Sequence, residues 1–173
     1  MSRREQASRD KKPPMPIEGN DKEEVMDQSH RRQNPHFRKV MVGYDGSKQA
    51  DKAVEIAFSL AQSTDCKVLI FAVARPPEPA TRVEVDAMLD DAREHFEESF
   101  KRITKSAEEQ GVNLETAIAV GHPIQQIVHR AEADHVDLII LGRRGMSRFE
   151  KMLVGSTSEK VLRYAHCPVM VVR

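Results

Sequence analysis

The stretch "VDLIILGRRGMSRFEKMLVGSTSEKVL", residues 136–162, contains an apolar run, a basic loop with glycines and the start of a helix, in that order. Four consecutive apolar residues, "LIIL", are typical of a strand that is buried on both faces of a parallel sheet. Gly142 follows this run directly, Gly145 comes three residues later, and Gly155 stands before a Ser-Thr-Ser run. The pattern predicts a strand, a loop, and a helix that begins near Ser156.

The rest of the chain from Phe37 onward repeats this alternation of strand and helix. "KVMVGYD", "KVLIFAVA", "NLETAIAV" and "PVMVVR" predict the other strands, and segments of helical periodicity separate them. Short connections between alternating strands and helices are typical of a parallel sheet that is covered on both faces. The predicted fold class is therefore α/β, with a single open, mostly parallel five-stranded sheet of Rossmann-like type and helices on both faces.

Residues 1–36 differ in composition from the rest. They contain "PPMP", many charges of both signs and almost no apolar clusters. Such a segment buries too little apolar surface to offset the entropy of ordering, so it is predicted to be a disordered charged tail before a domain at 37–173. The tail is interpreted either as a solubility segment or as a docking arm for an unidentified protein partner.

The overall composition argues against several classes of partner. Lysine plus arginine equals aspartate plus glutamate, 27 against 27, so no net positive field favours nucleic acid. No apolar stretch approaches the roughly 20 residues that span a bilayer, and the first residues lack the apolar core of a secretory signal. Cys66 and Cys167 are far apart and show no metal-ligand spacing, and they are interpreted as two small buried residues of a protein in a reducing compartment. These features predict a soluble, cytoplasmic protein that binds neither nucleic acid nor membrane.

The glycines of the quoted stretch predict an anion site. Glycine lets the backbone bend sharply or approach a ligand closely, and a helix N-terminus offers unpaired amides and a partial positive charge. Ligands of open α/β sheets bind at the carboxyl ends of the strands, where the first strand also ends in glycine and aspartate. Ser156 and Glu159 have the spacing of a capping box, which is a purely structural interpretation of the same helix start.

The spacing G-x2-G-x9-G-[S/T], from Gly142 to Ser156, resembles the nucleotide-binding signature of the universal stress protein family. The similarity extends over residues 38–173. "VGYDGSKQADKAVEIA" resembles the first strand and helix of the family, "VGHPIQQIV" its third-strand exit, and "GSTSEKVLRYAHCPVMVVR" its closing helix and strand.

The resemblance implies a site for ATP or an AMP-like adenine nucleotide at the predicted crevice. It places Asp45 beside the ribose and phosphates, with Mg²⁺ between that carboxylate and the nucleotide, since Mg²⁺ takes oxygen ligands. It places the backbone of Val73 against adenine and Leu141 near the sugar or base, and many family members carry proline at the position of Gly43. The residues implied to hold the phosphates are Gly142, Gly145, Gly155, Ser156 and Thr157.

Two of these positions have alternative interpretations. Arg143 and Arg144 stand where family members commonly carry a small or polar residue followed by histidine. A guanidinium forms forked hydrogen bonds with phosphate, so Arg143 either contacts the nucleotide or points to solvent. Asp45 either faces a metal–nucleotide complex or only forms the turn before Gly46.

The predicted function is that of an adenine-nucleotide-binding stress-response regulator with slow or no ATP hydrolysis. No G-x4-G-K-[S/T] motif is present, and no catalytic residue is assigned. The alternatives are a slow Mg²⁺-dependent ATPase and a dimeric interaction module that binds no nucleotide. The last strand, "VMVV", is an apolar edge that readily pairs with a copy of itself, and the family resemblance also implies a homodimer through this strand.

Overall fold

The computed structural model describes residues 37–77, 79, 81–143 and 154–173. The predicted tail at 1–36 lies outside the described residues, as do Arg144 and Gly145, and the boundary at 36/37 stays a prediction. The elements in chain order are β1 Lys39–Tyr44, α1 Lys48–Thr64, β2 Lys67–Ala74, α2 Arg82–Gln110, β3 Leu114–Val120, α3 Pro123–Ala133, β4 Leu138–Gly142, α4 Ser156–Tyr164 and β5 Val169–Val172.

The described strands form one parallel sheet in the order β3-β2-β1-β4-β5. The predicted α/β fold class and five-stranded open sheet are therefore confirmed. From the central β1 the chain proceeds outward through β2 and β3, then crosses to β4 on the other side of β1. The connections after β1 and β4 consequently diverge, which opens a crevice at the carboxyl ends of these two strands.

Helices cover both faces of the sheet, and successive strand residues alternate between them. Val40, Val42 and Tyr44 face α1 and α2, whereas Met41 faces the layer of α3 and α4. This alternation is the expected two-residue period of a strand. Because both faces are covered, the central strands are apolar at nearly every position, as the sequence predicted.

Residues of the usual capping types stand at the helix ends, with serine before α1 and glycine after α2. Ser47 caps α1 by accepting a hydrogen bond from the Ala50 N–H at 3.2 Å, and Gly111 ends α2 at a φ of 68°. The capping box predicted for Ser156 and Glu159 is wrong, since Gly155 is the N-cap of α4 and no side chain caps that end. Ser156 lies one residue inside the helix, where its hydroxyl is badly placed to cap.

An ion network lies at the amino ends of the strands, opposite the crevice. The Lys39 ammonium is 2.6 Å from an Asp134 carboxylate oxygen, and Lys67 is 2.9 Å from Glu115. Arg130 joins the two carboxylates, at 2.9 Å from Glu115 and 2.8 Å from Asp134. The network thereby connects the starts of β1, β2 and β3 to the end of α3.

None of the helices in the described part of the chain combines the length and the apolar character required to cross a membrane.

Candidate functional site

A cavity of about 480 Å³ opens at the carboxyl ends of β1, β2 and β4. Its walls also include two residues of α3 and the first turn of α4. The lining residues are Gly43, Tyr44, Asp45, Phe71, Val73, Arg75, Pro123, Ile127, Leu141, Gly142, Gly155, Ser156, Thr157 and Ser158.

Most of the residues predicted from the sequence come together around this cavity. Arg143 follows Gly142 directly but is not among the lining residues of the described chain, and Gly145 lies outside the described residues. The predicted site residues that line the cavity are Gly43, Asp45, Val73, Leu141, Gly142, Gly155, Ser156 and Thr157.

Two hydrogen bonds hold the start of α4 against the end of β4, and a third joins the ends of β4 and β5. The Gly155 N–H donates to the Arg143 carbonyl at 2.7 Å, and the Arg143 N–H donates to the Val172 carbonyl at 2.6 Å. The hydroxyl of Ser158, a buried residue, donates to the Gly142 carbonyl at 2.8 Å. Gly155 and Arg143 therefore use their own N–H groups within the protein, and a ligand would have to bind elsewhere.

The first turn of α4 provides the remaining amide donors. The N–H groups of Ser156, Thr157 and Ser158 have no acceptor within the helix, because the first turn has no preceding carbonyls to bind. These donors and the positive end of the helix dipole lie at the cavity wall, which is the arrangement that binds anions in proteins. Ser156 and Thr157 add hydroxyl groups at the same end.

Packing within the protein constrains two of the cavity glycines to different degrees. A Cβ on Gly142 would lie 2.8 Å from Gln49 Cβ and 3.1 Å from the Gln49 carbonyl carbon, so β4 approaches α1 too closely for a side chain. A Cβ on Gly43 would instead fall on Leu141 Cδ2, the end of a flexible side chain. Gly142 is thus required by the fold whether or not a ligand binds.

Asp45 serves as a turn residue and also lines the cavity. One of its carboxylate oxygens accepts a hydrogen bond from the Ser47 N–H at 3.1 Å, as the turn interpretation predicts. Within the described residues no group of three or more His, Cys, Asp or Glu side chains is placed to hold a metal ion. Asp45 would therefore fit Mg²⁺ only together with the phosphate oxygens of a bound nucleotide, which would complete the oxygen ligands.

Tyr44 is fixed by a network that reaches α2. Its hydroxyl donates to Asp51 at 3.0 Å, and Arg102 donates to the same carboxylate at 2.7 Å. Burial raises the pKa of Tyr44 above its ordinary value. The ring packs edge-on against Phe96, with 6.1 Å between centroids. This network anchors the end of β1 next to Asp45.

Several lining residues were not predicted from the sequence. Phe71 shares one face of β2 with Val73, because alternate residues of a strand point to the same side, and Arg75 continues this row one residue past the end of the strand. The two-residue spacing on either side of Val73 was the available signal for both. Ile127 and Pro123 come from α3, and nothing local in the sequence indicates that this helix reaches the cavity.

Comparison with known proteins identifies the family of this chain. The model of the "Universal stress protein family" matches residues 36–173. The chain belongs to the universal stress protein family.

Universal stress proteins of known sequence and structure resemble this one over most of its length. It is 34% identical over 140 residues to a universal stress protein of Methanocaldococcus jannaschii, covering 79% of this chain and 82% of that protein. The structure of universal stress protein UspA from Lactobacillus plantarum matches with a TM-score of 0.71 at 27% identity, covering 81% of this chain and all of that one.

One matching structure is a universal stress protein in complex with cAMP. It has a TM-score of 0.64 and 25% identity, and the match covers 80% of this chain and 98% of that chain. An adenine nucleotide is therefore a ligand of a protein with this fold and a related sequence.

Proposed function

We propose that this universal stress protein binds an adenine nucleotide, ATP or an AMP-like compound, in the cavity at the carboxyl ends of β1, β2 and β4. The observation that carries the proposal is the first turn of α4, whose amides lie at the wall of a cavity of nucleotide size. The related structure with bound cAMP supports the choice of an adenine nucleotide.

The phosphates are assigned to the α4 end of the cavity. Ser156 and Thr157 offer amide and hydroxyl donors there, and the helix dipole favours negative charge. Mg²⁺ would accompany a nucleotide that carries more than one phosphate, and Asp45 would supply an oxygen ligand from the protein. Asp45 is the only carboxylate that lines the cavity in the described chain, and this arrangement would give it a second role besides forming the turn.

The base and sugar are assigned to the opposite, apolar end. Phe71, Ile127 and Leu141 are almost fully buried lining residues, and together with Val73 they form an apolar surface suited to a flat base. Apolar walls with a few polar groups are typical of small-molecule sites.

The role of the bound nucleotide is proposed to be regulatory. ATP cleavage requires charge stabilisation and a positioned nucleophile or water, and Asp45 is the single candidate base on the described wall. Occupancy would instead alter the choice of protein partner. Phosphate release at ordinary enzyme rates would contradict this assignment and favour the ATPase alternative.

We also propose that two copies of the chain pair through β5. The strand lies at one edge of the sheet, and Met170 on it is exposed. The neighbouring helix α4 exposes Leu162 and Tyr164, which are 58% and 61% accessible. Exposed apolar side chains beside an open strand edge are typical of an interface.

A charge reversal at the start of α4 tests nucleotide binding. Ser156→Asp places a carboxylate at the proposed phosphate position, and we expect ATP affinity to fall by about tenfold or more through repulsion. The same carboxylate favours the helix dipole by about 0.3–1 kcal/mol, so the fold should not weaken. Calorimetric titration of nucleotide-stripped protein with Mg²⁺-ATP measures the affinity, and thermal unfolding checks the fold.

Ser156→Asn is the matched control, because it has the shape of aspartate without its charge. Retention of ATP binding in this variant, with loss in Ser156→Asp, supports a phosphate at the α4 end. Equal affinity in both variants and the parent would contradict the phosphate assignment. A parent protein that binds no nucleotide would favour the alternative of a dimeric interaction module.

A further inference from the structure

The geometry points to Arg75 as the residue that sets base preference, giving the cavity affinity for guanine nucleotides beside adenine nucleotides. The inference rests on the proposed function, because it assigns the specificity of the same cavity. Among the lining residues of the described chain, only Asp45 and Arg75 carry a formal charge. They lie at the exits of the neighbouring strands β1 and β2.

The position of Arg75 in the sheet separates it from the proposed phosphate end. In the sheet, β1 lies between β2 and β4, and α4 begins beside the end of β4. Adjacent strands are about 4.8 Å apart, so the exits of β2 and β4 are separated by about 10 Å. A nucleotide with its phosphates at α4 thus extends its base toward β2.

Arg75 ends a row of side chains along that part of the wall. Phe71, Val73 and Arg75 are alternate residues and all line the cavity. Phe71 is buried, Val73 is half-buried, and Arg75 is exposed, so the row runs from the apolar floor to the mouth. A base lying on Phe71 and Val73 would present its polar edge to the guanidinium.

The hydrogen-bond donors of the guanidinium distinguish guanine from adenine. It carries only donors, in a planar fork that fits two adjacent acceptors. Guanine presents O6 and N7 as such a pair, whereas adenine presents the N7 acceptor beside the N6 amine donor. Arginine therefore matches guanine on this edge, and glutamine, with one donor and one acceptor, matches adenine.

Titration with Mg²⁺-GTP and Mg²⁺-ATP tests the inference, since these ligands differ only in the base. The proteins are the nucleotide-stripped full chain and its Arg75→Gln, Arg75→Lys and Arg93→Gln variants. We expect the parent to bind both nucleotides and Arg75→Gln to lose GTP affinity by about 5- to 150-fold while ATP affinity is maintained or increased. Arg75→Lys keeps the charge without the fork and should lose GTP affinity in the same direction.

Arg93→Gln makes the same change of charge at an exposed α2 residue outside the cavity, and it should leave both affinities unchanged. A parent that binds ATP but not GTP would overturn this inference and leave the proposed function intact. Equal loss of both nucleotides in Arg75→Gln, or full GTP affinity in Arg75→Lys, would also overturn it. Failure of the parent to bind either nucleotide would overturn the proposed function itself.

Discussion

Gly43 and Gly142 lie near the carboxyl ends of two neighbouring strands at the cavity, yet the atoms around them differ in kind. The space beside Gly142 is filled by the backbone of α1, through the carbonyl carbon of Gln49 at 3.1 Å and the nitrogen of Ala50 at 3.2 Å. The space beside Gly43 is filled by the tip of the Leu141 side chain. Backbone in a packed helix moves at high cost, whereas a leucine tip can change rotamer.

Substitution of each glycine by alanine should show the difference between these two environments in the stability of the protein. We expect Gly142→Ala to lower the free energy of unfolding by about 1–3 kcal/mol, because the added methyl group forces β4 away from α1. Gly43→Ala should cost less, because Leu141 can turn away. Urea unfolding of both variants measures the difference, and a Gly142→Ala variant as stable as the parent would show that the close approach to α1 is unimportant.

The sequence predicted many of the cavity residues but not the contacts that each of them makes in the structure. Gly155, Ser156 and Thr157 were recognised through family spacing, and they do line the cavity. That the Gly155 N–H binds the Arg143 carbonyl depends on how the chain returns after β4, which spacing does not reveal. Arg75 was missed although it continues the alternate spacing of Val73, because it lies beyond the apolar run and no local signal indicates that the cavity extends to it.

Among the elements, the strands and helices were predicted more accurately than their tertiary contacts. The run at 67–74 is the observed β2, and the helix predicted to begin near Ser156 is the observed α4, Ser156–Tyr164. Apolar runs and helical periods are local signals, so they locate elements well. The capping box failed because the N-cap is Gly155, so the Ser156 hydroxyl lies one residue too far inside the helix to cap it.

The edge of β5 has backbone groups that point away from the sheet. The carbonyls of Pro168 and Val172 accept hydrogen bonds from the β4 side. Backbone groups of successive strand residues point to opposite sides, so those of Val171 point outward. An N–H in this position is a donor for a second copy of the strand.

Val171→Pro should therefore weaken the proposed dimer without disrupting the β4–β5 pairing. Proline removes the outward N–H, and edge strands tolerate proline on that side. We expect sedimentation velocity at micromolar concentration to give a dimer for the parent and a monomer for the variant. Val171→Ala retains the N–H and should remain dimeric. A monomeric parent would contradict pairing through β5.

At the scale of the whole molecule, the order of the strands in the sheet determines where the cavity lies. Alternation of strands and helices predicted a parallel sheet, which fits many strand orders. The observed crossing from β3 to β4 brings the ends of β1 and β4 together, and these ends form the centre of the cavity wall. The order depends on the packing of all four helices, so no single segment of the sequence could have indicated it.

The ion network at the opposite edge predicts how stability depends on pH. Hydrogen bonding from Lys67 holds the pKa of Glu115 below its ordinary value of 4.5. Burial alone would raise the pKa of Asp134, but hydrogen bonds from Lys39 and Arg130 outweigh it and hold the pKa below 3.8. Both carboxylates thus bind protons more weakly in the folded state, so their contribution is present above these ordinary values and is lost as pH falls below them.

Urea unfolding between about pH 7 and pH 3 checks this dependence. We expect the free energy of unfolding to fall below about pH 4.5, by at most about 1 kcal/mol for each carboxylate because both are partly exposed. The double variant Glu115→Gln, Asp134→Asn should be less stable at pH 7, since Lys39 and Arg130 lose their partners, and should show a shallower acid loss. Glu55→Gln, at an exposed glutamate of α1 outside the network, should retain the slope of the parent. If the double variant loses stability as steeply as the parent, the acid sensitivity originates elsewhere and the network does not stabilise the fold through its carboxylates.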